Sequence, residues 1–137
     1  MDLEAQGFRE IPHTADWALE VWAPGLPGLL EQAARGMDAI SGVSLARSGR
    51  TQRRIEIEAE DQETLLVKFL SELLYLEEHE GIGFDFFALD LQGFRLTASL
   101  GGAPILKKDK EIKAVTYHNL AIHKTENGLG ASIVFDV

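Results

Sequence analysis

Between Asp61 and Gly81 the apolar residues Leu65, Leu66, Phe69, Leu70, Leu73, Leu74 and Leu76 recur at helical spacing and cover one wide face. A helix with that much apolar surface must lie on a second layer, and a chain of 137 residues has to supply that layer itself. Asp61 is placed to cap the first turn, acidic residues flank the helix, and Gly81 and Gly83 end it. A second helix is predicted upstream. Leu26, Leu29, Leu30, Ala33, Ala34, Met37 and Ile40 form one stripe, and Ser41-Gly42 can stop it.

Elsewhere the period is two. Trp17, Leu19, Val21 and Ala23 alternate with Ala18, Glu20 and Trp22, which predicts a strand buried on one face. Pro24, Gly25, Pro27 and Gly28 break it. A loop carrying Arg47 and Arg50 leads into a strand in which Ile55, Ile57 and Ala59 alternate with Arg54, Glu56 and Glu58. Residues 82–91 are β-like, Gln92-Gly93 is a turn candidate, and Phe94, Leu96, Ala98 and Leu100 alternate after it. Gly101-Gly102-Ala103-Pro104 reads as a loop. Residues 111–124 and 130–137 read as strands joined by Glu126-Asn127-Gly128-Leu129. The expected order is β-α-β-α-β-β-β-β. That is one α+β domain over residues 1–137, with two helices packed on a mostly antiparallel sheet.

Charge and composition remove whole classes of function. Thirteen basic against 22 acidic residues give a net charge of −9, a field that repels nucleic acid. With no cysteine there is no disulfide, thiolate metal site or cysteine nucleophile. No apolar stretch approaches the ~18 residues of a membrane span. The opening Met-Asp-Leu-Glu is not a signal peptide. The expectation is a soluble, cytoplasmic protein. There is no P-loop, no G-x-S-x-G elbow, no H-E-x-x-H and no EF-hand loop.

A two-residue Asn127-Gly128 turn places Glu126 opposite Leu129, Ile122 opposite Ile133, Leu120 opposite Phe135 and His118 opposite Val137. His118 then falls on the apolar face, as a hydrogen-bonded core or interface histidine. His123, an odd number of residues on, falls on the other face. Glu77-Glu78-His79-Glu80 reads as a solvated helix end.

Two stretches allow two readings each. In Ile11-Pro12-His13-Thr14-Ala15-Asp16, Thr14 or Asp16 either caps local amides or Asp16 is held at a strand entrance for a cation. Phe135-Asp136-Val137 is either a frayed strand end or a pair of anionic groups that a hard cation would bridge. Two basic clusters, Arg47/Arg50/Arg53/Arg54 and Lys107/Lys108/Lys110/Lys113, are either solvated or a docking edge. That edge would take an acidic partner, or RNA already held by a partner. The residues alone stop at a small acidic α+β domain with a candidate oxygen-ligand cation site.

The chain nevertheless resembles a known family. Ile11-Pro12-His13-Thr14-Ala15-Asp16, then Ala59-Glu60-Asp61, Leu65-Leu66 and Glu72-Leu73-Leu74-Tyr75-Leu76, then Glu111-Ile112-Lys113-Ala114-Val115-Thr116-Tyr117-His118, and Phe135-Asp136-Val137 look like archease, in order and over essentially the whole chain. Ser71 departs from the asparagine that the family often carries there. The resemblance implies an accessory protein rather than an enzyme. Its partner would be an RtcB-type RNA ligase, whose histidine guanylylation it promotes so that the ligase turns over repeatedly, with a possible broadening of the nucleotide used. RNA would be met only through the ligase. The resemblance also implies a divalent cation, calcium, held by Asp16, Asp136 and Val137. It makes Lys113 a candidate for acting at the ligase, with His13 and His118 beside it. Asp61 is then a helix cap or a further acidic contact. The competing classes are a small metal-dependent hydrolase using Asp16 and Asp136 with His13 as base, and a general chaperone-like binder.

Overall fold

Apolar residues that recur at every second position form strands here, and those at helical spacing form helices. The computed structural model describes residues 5–11 and 17–137. Its elements are β1 (Gly7–Ile11), β2 (Trp17–Ala23), α1 (Leu26–Ser41), β3 (Ser44–Leu45), β4 (Thr51–Glu58), α2 (Gln62–Glu80), β5 (Ile82–Gln92), β6 (Arg95–Lys107), β7 (Ala114–Val115), β8 (His123–Thr125) and β9 (Gly128–Asp136). The α+β class, the two helices and the antiparallel pairing stand as expected.

The strands form two sheets. One runs β1-β2-β9-β7, with β8 also pairing β9. In it Trp17 pairs with Phe135, Leu19 with Ile133 and Val21 with Ala131. Leu19, Val21, Ala131, Ile133 and Phe135 all lose their solvent on the face toward the helices. In the other sheet β6 is central, with β4 and β5 on its two sides and β3 at its end. Leu29, Leu30, Ala33 and Met37 of α1 meet Leu65, Leu66, Phe69 and Leu70 of α2 in one buried cluster that both sheets complete.

Both helices stop at glycines in the left-handed region, Gly42 at φ 71° and Gly81 at φ 66°. Asp61 caps α2, its carboxylate accepting from the Thr64 N–H at 2.7 Å. That hydrogen bonding holds the Asp61 carboxyl below the ordinary aspartate range. The cap therefore stabilises above the unfolded-state value and fades as pH falls through the lower folded one. Asp61→Ala should lower the melting temperature at pH 7, and the gap to wild type should close in acid. Thermal unfolding at pH 7 and pH 3 measures both.

Three expectations are corrected. Gly101-Gly102-Ala103-Pro104 is not a loop but the interior of β6. A β-bulge between Phe84 and Phe86 brings the β5 backbone so close that a Cβ on Gly102 would stand 1.9 Å from the Gly83 carbonyl oxygen. Glycine is there to admit a neighbouring backbone.

The hairpin register moves by two residues. Thr125 pairs with Gly128 and Lys124 with Leu129, so Glu126 and Asn127 form the turn. A Cβ on Gly128 would meet the Ala23 carbonyl oxygen at 2.2 Å, so this glycine serves the approach of β2. The pairs Ile122–Ile133, Leu120–Phe135 and His118–Val137 are therefore not formed.

Residues 111–124 are not one strand. Val115 pairs with Phe135 and His123 with Gly130, so eight steps of chain face five on β9 and three residues loop out. The loop is held from distant parts of the chain and bends at one residue of its own. The backbone N–H and Oγ1 of Thr116 both donate to the Val134 carbonyl, at 3.0 and 2.9 Å. Asn119 takes a left-handed φ of 52°, and the Leu120 N–H donates to the Tyr117 carbonyl. From α2, the Glu63 carboxylate accepts from the Ile122 N–H at 2.8 Å. His118 is consequently exposed on a loop rather than set on an apolar face. Gly7–Ile11 and Ser44–Leu45 are strands that carried too short a pattern to be read.

Candidate functional site

The last residues of β9 are held by an apolar anchor. Phe135 is fully buried and pairs with Trp17 on one side and Val115 on the other. Burying a phenylalanine contributes roughly 1.5–3 kcal/mol, enough to keep the strand end from fraying. Asp136 and Val137 then emerge from a fixed point with exposed side chains.

Lys113 comes to the same place through the backbone. Its N–H donates to the Asp136 carbonyl at 2.7 Å, while Ala114 pairs with Asp136. Its side chain is exposed and forms no ion pair among the described residues. Lys110 lies close by, its ammonium 3.9 Å from the centre of the Trp17 ring. The sheet end thus brings the backbones of Asp136 and Lys113 together, with a Lys110–Trp17 stack on the neighbouring strand. Sequence reasoning missed that stack, because an exposed lysine and a strand tryptophan carry no spacing signal.

Asp16 and His13 lie outside the described residues. Asp16 directly precedes Trp17 in the chain, and Trp17 is the register partner of Phe135. Among the described residues no three His, Asp or Glu side chains converge as a metal centre. Asp61 stands toward the other end of β9. The start of α2 contacts Ile122, the residue before the partner of Gly130. Gly130 and Asp136 are six residues apart, roughly 20 Å at ~3.3 Å per residue. His118 faces its own loop, with Nε2 3.3 Å from the Asn119 amide nitrogen.

Much of the basic clusters is absorbed locally. Arg50 forms a two-pronged pair with Asp85 at 3.0 and 2.7 Å, Arg53 pairs with Glu80 at 2.5 Å, and Lys107 with Asp109 at 3.2 Å. The bond from Arg50 holds the Asp85 carboxyl below the ordinary range.

A second ionisable cluster was not foreseen. Glu77 is no solvated helix end: its side chain is 3% exposed and pairs at 2.9 Å with Lys108, itself 18% exposed. Burial first, and then the neighbouring Glu77 carboxylate, push the Asp38 carboxyl well above the ordinary aspartate range, while Lys108 and Arg35 pull it down. The signal was in the sequence. Glu77 follows Leu73 by four residues and Leu70 by seven, so it continues the apolar stripe.

Comparison with known proteins places this fold. The model of the Archease protein family matches residues 8–137. A protein archease of Methanosarcina barkeri is 36% identical and aligned over 100% of both chains. One from Pyrococcus abyssi is 32% identical over 85% of this chain and 87% of its own. Among solved structures, an archease from Thermotoga maritima, described as a possible chaperone, superposes with a TM-score of 0.70 at 27% identity, covering 94% of this chain and 96% of that one. The solution structure of Methanobacterium thermoautotrophicum protein 1598 gives a TM-score of 0.70 at 25% identity, over 96% of this chain and 99% of that one.

Proposed function

The chain belongs to the archease family, and we propose that it is an accessory protein that activates an RtcB-type RNA ligase, without turnover of its own. The reading rests on the family match over nearly the whole chain and on one juxtaposition, Lys113 hydrogen-bonded through its backbone to Asp136 at an exposed sheet end. A role as helper to another protein agrees with the Thermotoga neighbour's description as a possible chaperone.

Asp136, with Asp16 and the backbone of Val137, is the proposed cation site. The donor set is chemically suited: the ligands are all oxygen, as calcium prefers, and the Asp136 carboxylate has no ion-pair partner among the described residues. A cation bound there would present positive charge to phosphate or to an acidic partner surface. Lys113 adds a second positive group at the same end, and the buried Phe135 ring holds the strand end that carries Asp136. Positioning of reacting groups can itself be worth ~7–11 kcal/mol. The accessory role therefore needs no catalytic group on this chain.

The test pairs two assays. With a cognate ligase, wild-type protein should convert single-turnover joining of RNA ends into multiple turnover, and Lys113→Ala and Asp136→Ala should each lose most of that gain. Protein alone should neither cleave RNA nor release phosphate. Cleavage that copurifies with the protein and disappears in Asp136→Ala would replace this reading with the hydrolase. For the cation, calcium should raise the wild-type melting temperature, since a ligand bound only by the folded state stabilises it. Asp136→Ala and Asp16→Ala should each abolish the shift, and an undiminished shift in both would remove the site.

A further inference from the structure

A groove of about 570 Å³ runs between the outer edge of β4 and α2. β4 pairs with β6 on one side, and among the described residues no strand covers the other. Three hydrogen bonds show which backbone groups face which way. The Ala59 N–H donates across to the Phe94 carbonyl, so the odd-numbered groups of β4 point to β6. Lys68 Nζ donates to the Glu58 carbonyl and Arg53 Nη1 to the Gln52 carbonyl, both at 2.9 Å, so the even-numbered groups point outward. These two basic side chains cap the two ends of the edge. Between them the N–H and C=O groups of Arg54 and Glu56 face the groove, and no described residue bonds to them.

Aromatic and acidic side chains dominate the rest of the groove. Tyr75 of α2 and Tyr117 of the opposite loop line it, 52% and 55% exposed. Glu56 and Glu58 on the edge and Glu72 on α2 supply three carboxylates; Arg54 stands 3.9 Å from Glu56 in an exposed, loose pair, and Lys68 is engaged with the Glu58 carbonyl. An unpaired strand edge is normally closed off against other chains, and here only its ends are.

We propose that this groove binds an extended, basic segment of a protein partner, which adds a short strand to β4. The open edge offers the backbone groups of two residues, so the added strand is brief. The caps at Gln52 and Glu58 prevent a second copy of this chain from pairing along the full edge. Side chains of an added strand alternate in direction. One set stands beside Glu56 and Glu58 and must be basic. The other set lies over Tyr75 and Tyr117 and must be apolar. This surface is separate from the proposed cation site, and its use does not depend on that reading.

The probe is the blocked hexapeptide Lys-Val-Lys-Val-Lys-Val, followed by fluorescence anisotropy and by amide hydrogen exchange of the whole protein. The peptide should bind and slow exchange at the Arg54 and Glu56 amides. Glu56→Lys and Glu58→Lys should each weaken it by about tenfold, because the ion pairs become like-charge contacts. Raised salt should weaken it in the same sense. Ser71→Arg, which fills the α2 side of the groove and leaves β4 intact, should also block it. A Glu-Val counterpart, and a Lys-Val peptide N-methylated at alternate residues, should not bind, the latter because it lacks the strand-pairing donors. The proposal is overturned if the N-methylated peptide binds as tightly as the parent. It is equally overturned if protection appears away from β4, or if the parent shows no binding at millimolar concentration.

Discussion

Phe135→Ala should melt roughly 10–20 °C below wild type, the consequence of losing about 3–5 kcal/mol in a domain of this size. Phe135 has no exposed surface and pairs with Trp17 and Val115, so its ring holds the ends of three strands against the helices. A cavity there has few ways to collapse, because Ile133, Leu19 and Val115 sit on strands whose register is set elsewhere. The consequence for function is specific. Asp136 follows the anchor directly, so Phe135→Ala should also reduce the calcium-dependent rise in melting temperature at temperatures where the protein is still folded. Phe135→Leu keeps most of the volume and should cost less than about 1.5 kcal/mol while retaining the calcium response. Equal melting temperatures for Phe135→Ala and wild type would show that the strand end is held by something other than this ring.

Lys108→Met should cost about 3 kcal/mol at pH 8.5, the lower end of what removing one partner of a buried ion pair costs. The substitution leaves the Glu77 carboxylate, with a side chain 3% exposed, without its counter-charge. It also removes a group that pulls the Asp38 pKa down. The pH dependence follows from that direction. A carboxyl whose folded pKa is raised holds its proton in the folded state after the unfolded chain has released it. Its contribution is full below the ordinary aspartate value and is lost as pH rises through the raised one. Without Lys108 that loss deepens, so the difference between variant and wild type should shrink on going from pH 8.5 to pH 5. Asp38→Asn removes the titrating group, and it should stabilise the protein at pH 8.5 and flatten its pH profile. Urea unfolding of the three proteins at both pH values decides the matter. A Lys108→Met penalty that does not change with pH would exclude Asp38 from the coupling.

Both helices, with their caps and stops, could be read directly from residue spacing. Asp61, Gly42 and Gly81 act locally, and a cap needs only its own turn. The same holds for β2 and β4, whose alternation runs long enough to show a buried face. The sheet end was legible in part. Asp136 and Lys113 were singled out, but their contact was not, because it depends on a loop of residues 116–122 whose causes are distant. Val134 takes Thr116, and Glu63 of α2 takes Ile122. Tyr117 and His118 were misplaced for the same reason: an unbroken strand was assumed where Asn119 turns left-handed.

Local chemistry in the chain decided the helix lengths, the α+β class, the acidic surface and the segments that mark the family, because each depends on residues within a few positions of one another. Tertiary structure alone decided the role of the glycines inside the strands, the hairpin register and the fate of the charges. Gly102 and Gly128 are required by backbones that arrive from β5 and β2. Glu77 and Lys108 leave solvent together because α2 and the end of β6 meet there. The edge of β4 stays open because no other described strand reaches it. A residue's spacing tells which face of an element it occupies. What covers that face is decided by elements remote in the chain, since burial and pairing are properties of the space between them.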